Sequence, residues 1–220
     1  MGGKEAASPR YIFTNLNPLT RVVFNEHDDA LLNHLEDEGL KIEPLYYAPI
    51  LPAILVNGCE GIGTGWSTNI PCYNPFDIIS NIENRLKDSS YQFSRMVPWF
   101  KNFLGEIDPA DGGNYLVKGV WKKLDKQSIE ITELPIRKWT RDYKNFIEDL
   151  MMAGDLIEDL KEFHKDNTVH FVLKLKEDVD KLEKREGGIL KHLKLTTNIS
   201  CNNFVLFDKD HRIKKYDHEI

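Results

Sequence analysis

Two apolar rhythms run along this 220-residue chain in no fixed order, and that irregularity rules out most architectures. A period of two links Val169, Phe171, Leu173 and Leu175, as a half-buried strand requires. Shorter versions occur at Tyr115 and Val117 and at Ile129 and Ile131, which read as strands of an antiparallel pair, and residues 203–207 read as a further strand. Helical spacing links Tyr143, Phe146, Ile147, Leu150 and Met151. It also links Ile78, Ile79, Ile82 and Leu86, after a start of Asn74 as N-cap, Pro75 at the first helical position and Asp77 in the first turn. Leu31, Leu32 and Leu35 predict a short helix ending near Gly39. Residues 53–56, Ala-Ile-Leu-Val, predict a strand entering a glycine-dense loop. Without a regular βαβ rhythm the fold class is α+β, with antiparallel strands. The chain begins and ends without convincing caps, as an excerpt from something longer would.

Charge argues at first against a nucleic-acid partner, because the net value is −6. The charge is segregated, however. Residues 25–45 carry Glu26, Asp28, Asp29, Glu36, Asp37, Glu38 and Glu43 against Lys41, whereas a basic cluster spans Lys118, Lys122, Lys123, Lys126, Arg137, Lys138, Arg141 and Lys144. The net charge therefore does not exclude a basic face on an acidic molecule, although composition alone does not find one. Asp28 and Asp29 read as a solvated face rather than a metal site. Cys59, Cys72 and Cys201 are widely spaced with no CxxC pair, which predicts a reducing compartment and neither a disulfide framework nor a zinc site. No run of about eighteen apolar residues offers a membrane-spanning helix, and no membrane partner is expected. Trp66, Trp121 and Trp139 are expected to pack in the core.

The segment Ser8-Pro9-Arg10-Tyr11 is suited to phosphodiester chemistry. An ordinary phenol ionises near pH 10, so reaching the anion at pH 7 takes roughly 4 kcal/mol of help. A neighbouring guanidinium supplies part of that help and stabilises charge on phosphoryl oxygens. Taken alone, an Arg-Tyr pair reads as a core tyrosine beside a surface arginine. The second candidate is residues 57–65, Asn-Gly-Cys-Glu-Gly-Ile-Gly-Thr-Gly. Glycines let backbone N–H groups approach phosphates. Yet Gly65 is followed by Trp66, not by the Lys of a Walker A loop, and the dinucleotide fingerprint has the wrong last interval. On its own the stretch reads as a structural turn.

The longer strings resemble a known family. Residues 2–14, Gly-Gly-Lys-Glu-Ala-Ala-Ser-Pro-Arg-Tyr-Ile-Phe-Thr, are similar almost letter for letter to the active-site segment of the eukaryotic type II DNA topoisomerases. Residues 57–67 resemble that family's Asn-Gly-x-Glu-Gly-Ile-Gly-Thr-Gly-Trp-Ser motif. Weaker matches at 49–52, 129–137, 139–140, 166–171, 204–208 and 214–217 extend the likeness over essentially the whole chain. The resemblance implies that Tyr11 attacks DNA to form a 5′-phosphotyrosyl bond, that Arg10 assists at the scissile phosphate, and that Lys4 and Ser8 lie near the DNA backbone. It implies that Ile62 is wedged between base pairs; bending a short duplex costs about 1–6 kcal/mol, offset by added contacts.

The resemblance further implies two domains: residues 1–45 as the C-terminal part of a winged-helix domain, and residues 46–220 as a mixed α/β tower domain. The parent is implied to be a nuclear homodimer that acts on double-stranded DNA and depends on ATP and Mg2+. The magnesium and the ATP are expected on modules of that family outside this chain, and the fragment alone is expected to be inactive. Two departures stand out: Leu45-Tyr46-Tyr47-Ala48, where the family shows an acid and a tryptophan before the tyrosine, and Cys59 in place of an alanine. Readings from other classes are a non-catalytic DNA-binding and bending module, a phosphate-binding enzyme built on the glycine stretch, and a structural dimerisation piece.

Overall fold

A computed structural model describes residues 7–216. A 3-10 turn at Pro9–Tyr11 leads to helix α1 (Thr20–Val23), a second 3-10 turn at Glu26–Leu31, and a hairpin of β1 (His34–Asp37) and β2 (Leu40–Pro44). The helix expected to end near Gly39 is replaced by this hairpin. Asp37 pairs with Leu40, and Glu38 and Gly39 between them both have positive φ, 49° and 78°. Two left-handed residues make the hairpin turn whose twist matches that of its strands. The helical spacing misled because Leu31 and Leu35 are exposed and have no core to face. Local contacts hold this region: Arg21 donates two hydrogen bonds to Asp29, at 2.7 and 3.1 Å, and Phe24 meets Tyr47 edge to face. The buried hydrophobic set begins only at Ile70.

Residues 53–57 form a helical turn, α2 (Ala53–Asn57), where a strand was expected. An apolar run of four residues carries no period that separates the two, and packing decides. Ile54, Leu55 and Val56 lean on the core from one side. The glycine-dense stretch is a hairpin instead of a loop, with β3 (Cys59–Gly63) antiparallel to β4 (Trp66–Ile70). Helix α3 (Pro75–Lys87) starts as predicted, with the Asn74 side chain accepting from the Phe76 N–H at 3.0 Å. Its buried face differs from the expected stripe. Ile78 and Asn81 are buried while Leu86 is exposed, and Asn81 is satisfied by the Ser94 backbone, donating and accepting at 2.9 Å.

The remaining elements are β5 (Glu106–Pro109), β6 (Asn114–Lys118), β7 (Val120–Lys123), β8 (Ser128–Glu133), α4 (Thr140–Met152), β9 (Ile157–Glu162), β10 (Phe171–Leu175), α5 (Val179–Glu183), α6 (Gly188–His192), β11 (Thr196–Ser200), β12 (Phe204–Phe207) and β13 (Ile213–Tyr216). One sheet has the order β11-β6-β5, a second β7-β8-β10-β9, and β12 pairs with β13, all antiparallel. The α+β class therefore holds. Tyr115 and Val117 on β6 do not pair with Ile129 and Ile131 on β8; the two strands lie in different sheets. The chain crosses between the sheets at Gly119, where a Cβ would stand 2.5 Å from the Glu133 carbonyl oxygen, so only glycine fits.

Each sheet has its own core. Ile129, Ile131, Phe171, Leu173 and Leu175 pack with Tyr143 and Ile147 of α4 and with Leu182 and Ile189 of the two short helices. Tyr115, Val117 and Ile199 pack with Ile78 of α3, Tyr73 and Phe204. The second core is the platform from which the glycine hairpin projects, since Ile70 at the end of β4 is buried in it.

Candidate nucleic-acid interface

Tyr11 closes the 3-10 turn, its N–H donating to the Ser8 carbonyl at 3.0 Å. The residue is 71% exposed. The Arg10 guanidinium lies over its ring, 4.7 Å from Cζ to the centroid, and Nη2 donates to the phenol oxygen at 3.2 Å. Arg10 thus holds the hydroxyl in solvent while itself remaining exposed. Ser8 is exposed and is linked to Tyr11 through its backbone. Lys4 lies outside the described residues. The neighbours Ile12, Phe13 and Leu16 are also exposed, so the tyrosine stands on an apolar, uncovered stretch.

Ile62 is near the tip of the β3–β4 hairpin and is 94% exposed. Nothing lies within 4 Å of the place a Cβ would take on Gly61, and Gly63 is nearly as open. An aliphatic side chain is therefore presented to solvent on a backbone thin enough for close approach. The hairpin's other strand is tied to Asn203, just ahead of β12: the Asn69 N–H donates to the Asn203 carbonyl at 2.9 Å, and Asn203 Nδ2 donates to Ser67 Oγ at 2.9 Å. Between the two hairpins runs an apolar groove of about 410 Å3, lined by Ile62, Trp66, Val205, Phe207 and Ile213. At the hairpin's root, Arg137 Nη2 donates to Asn69 Oδ1 at 2.8 Å and stands 3.1 Å from Glu60 Oε2. Nearby, burial raises the Cys72 thiol pKa, an effect the Arg137 charge opposes.

The basic cluster of residues 118–144 is largely turned against acids. Lys118 meets Asp108 and Glu106, Lys122 meets Glu130, Lys123 meets Asp180, Arg137 meets Glu60, and Lys144 meets Glu162. Cross-strand register explains two of these, since Glu106 lies opposite Lys118 and Glu130 opposite Lys122. Of the three tryptophans, Trp121 packs on the four-stranded sheet's core as expected, but Trp66 and Trp139 are half exposed. Trp66 lines the groove beside Ile62. The roles of Glu60 and Asn69 escaped the sequence, because their meeting with Arg137 is made by the fold alone.

A model of the family described as DNA gyrase/topoisomerase IV, for the A-type subunit of those enzymes, matches residues 1–219. DNA topoisomerase 2 of Arabidopsis thaliana is 46% identical over 221 residues, covering 98% of this chain and 15% of that protein. DNA topoisomerase 2-beta of Gallus gallus is 45% identical over 222 residues, covering 98% of this chain and 13% of the relative. Among solved structures, the Plasmodium falciparum topoisomerase II DNA-binding, cleavage and re-ligation domain matches with a TM-score of 0.89 at 45% identity, over 99% of this chain and 30% of that one. The chain spans a small part of the relatives it matches. Matched along nearly its whole length, the chain belongs to the DNA gyrase/topoisomerase IV family, and within it is similar to the eukaryotic type II DNA topoisomerases.

Proposed function

We propose that this segment is part of the breakage–reunion core of an ATP-dependent type II DNA topoisomerase, and that Tyr11 is its nucleophile. The observation that carries the reading is the exposed Tyr11 hydroxyl with the Arg10 guanidinium 3.2 Å away. The phenol oxygen loses its proton and attacks a backbone phosphorus of double-stranded DNA. A bond forms between that oxygen and phosphorus, the bond from phosphorus to the 3′ oxygen breaks, and the 3′ oxygen takes up a proton. Arg10 stabilises charge on the phosphoryl oxygens as the bond is made. The new ester conserves the energy of the old one, so the 3′ hydroxyl reverses the step and reseals the strand. Ser8 and Lys4 lie toward the backbone, and Ile62 enters a base step and bends the duplex.

In the parent, two copies of the chain act as a homodimer on opposite strands, in the nucleus. Residues 1–45 form the end of its winged-helix domain and 46–220 its tower. Among the described residues no three His, Cys, Asp or Glu side chains converge as metal ligands. They do not fit a magnesium site, nor does the hairpin fit a nucleotide loop, so both groups are assigned to other parts of the parent. The test is Tyr11→Phe in a full-length protein carrying this segment, with DNA adducts trapped by denaturant. The variant is expected to form none; adducts at the wild-type level would end the assignment.

A further inference from the structure

Residues 135–138 form a tight turn between β8 and α4, closed by the Lys138 N–H donating to the Pro135 carbonyl at 3.0 Å. Arg137 occupies its third place with φ 70°, while Ile136 before it is not left-handed. That is the type II pattern, whose third place favours glycine. A β-carbon there is strained, and such strain persists where the surroundings hold it and often marks function. Thr197 Oγ1, donating to the Ile136 carbonyl at 3.1 Å, helps to hold this turn. The result is a guanidinium that reaches both strands of the glycine hairpin at once. Its partners Glu60 and Asn69 face each other across the ladder, and Ile62 and Ser67 face each other one rung pair further out. Side chains two residues apart share a face of a strand. Arg137 therefore grips the hairpin on the face that carries Ile62.

We infer that Arg137 is a positioning residue for Ile62, which sets the pitch of the hairpin and discharges Glu60 on the side offered to DNA. This rests on the proposed wedge role of Ile62. Asn203 ties only the β4 strand of the hairpin, at Ser67 and Asn69, and Arg137 adds the contact that also reaches the β3 strand, at Glu60. An exposed ion pair adds little to global stability, and here its effect falls on one projecting element. With Arg137 gone, the Glu60 carboxylate would sit uncompensated two residues from the wedge and would repel the backbone phosphates.

The experiment uses the full-length protein and a short gate duplex labelled at both ends, with the bent fraction read by energy transfer and stability by thermal melting. Arg137→Gly relieves the left-handed strain, so it is expected to melt at or above the wild-type temperature. Its bent fraction should nevertheless fall about threefold to fivefold. Arg137→Lys keeps the charge without the planar fork and should fall between. Glu60→Gln added to Arg137→Ala should recover the part of the loss that weakens with salt. If Arg137→Gly bends DNA as the wild type does while Ile62→Ala does not, the positioning role is wrong and the wedge stands. If Ile62→Ala itself bends normally, the wedge reading fails and the positioning role with it.

Discussion

At Tyr11 the neighbouring guanidinium both stacks on the ring and donates to its oxygen, and only a planar, multiply donating group does both. Arg10→Lys is therefore not conservative. An ammonium could reach the phenol or lie over the ring, but could not span a phosphate at the same time. Losing one donor aimed at developing charge costs on the order of 100-fold in rate. The adduct-forming rate of Arg10→Lys, measured by rapid quench in a full-length protein, should fall by about that factor. Because both residues are exposed, the melting temperature should hold. A rate equal to the wild type's would remove Arg10 from the chemistry. This pair was legible in the sequence because the two residues are adjacent and the string around them is distinctive. The Arg137 contact was not, since it spans 68 residues to Asn69 and depends on a left-handed arginine where the turn favours glycine.

Among the elements, those read correctly had long periodic faces and a core to meet: α4 and β10 hold their expected stripes. Those misread were short. Leu31 and Leu35 are exposed with no core to face, and the 53–56 run had too few residues to show a period. The four-stranded sheet yields a pH prediction. Hydrogen bonding from Lys122 lowers the Glu130 pKa below the ordinary 4.5, and Lys123 lowers that of Asp180 below 3.8 in the same way. At Glu162 burial acts upward, yet Lys144 and His164 outweigh it. Folded pKa values below unfolded ones mean stability that is present above the unfolded values and lost as pH falls through the folded ones. Glu133, which burial raises, acts with the opposite sign. The melting temperature should thus drop as pH is lowered below about 4. Glu130→Gln should flatten that drop, and 1 M salt should shrink it, since screening then acts within about 3 Å. An acid slope untouched by Glu130→Gln would show that the Lys122 contact is not kept in solution.

For the whole molecule the α+β class could be read from the two rhythms, but the allocation of strands to sheets could not. β6 and β8 look alike in sequence, and it is Gly119, one residue past β6, that sends the chain from one sheet to the other. Charge follows the same logic of non-local pairing. A run of cations in the sequence invites a DNA-binding face, yet folding sets Lys122, Lys123 and Lys144 against Glu130, Asp180 and Glu162. A cation already paired displaces few counterions from DNA, whereas each phosphate contact contributes about 0.9 to the slope of log affinity against log salt. Replacing all three lysines by glutamine in a full-length protein would flatten the slope by about 2.7 if each met a phosphate. With the pairs intact the expected change is less than about one. Affinity titrations between 50 and 200 mM salt, roughly the range where such slopes are read, would separate the two. A change near the larger value would mean that DNA pulls these side chains from their carboxylates, leaving three acids beside the duplex, which the net charge of −6 makes costly.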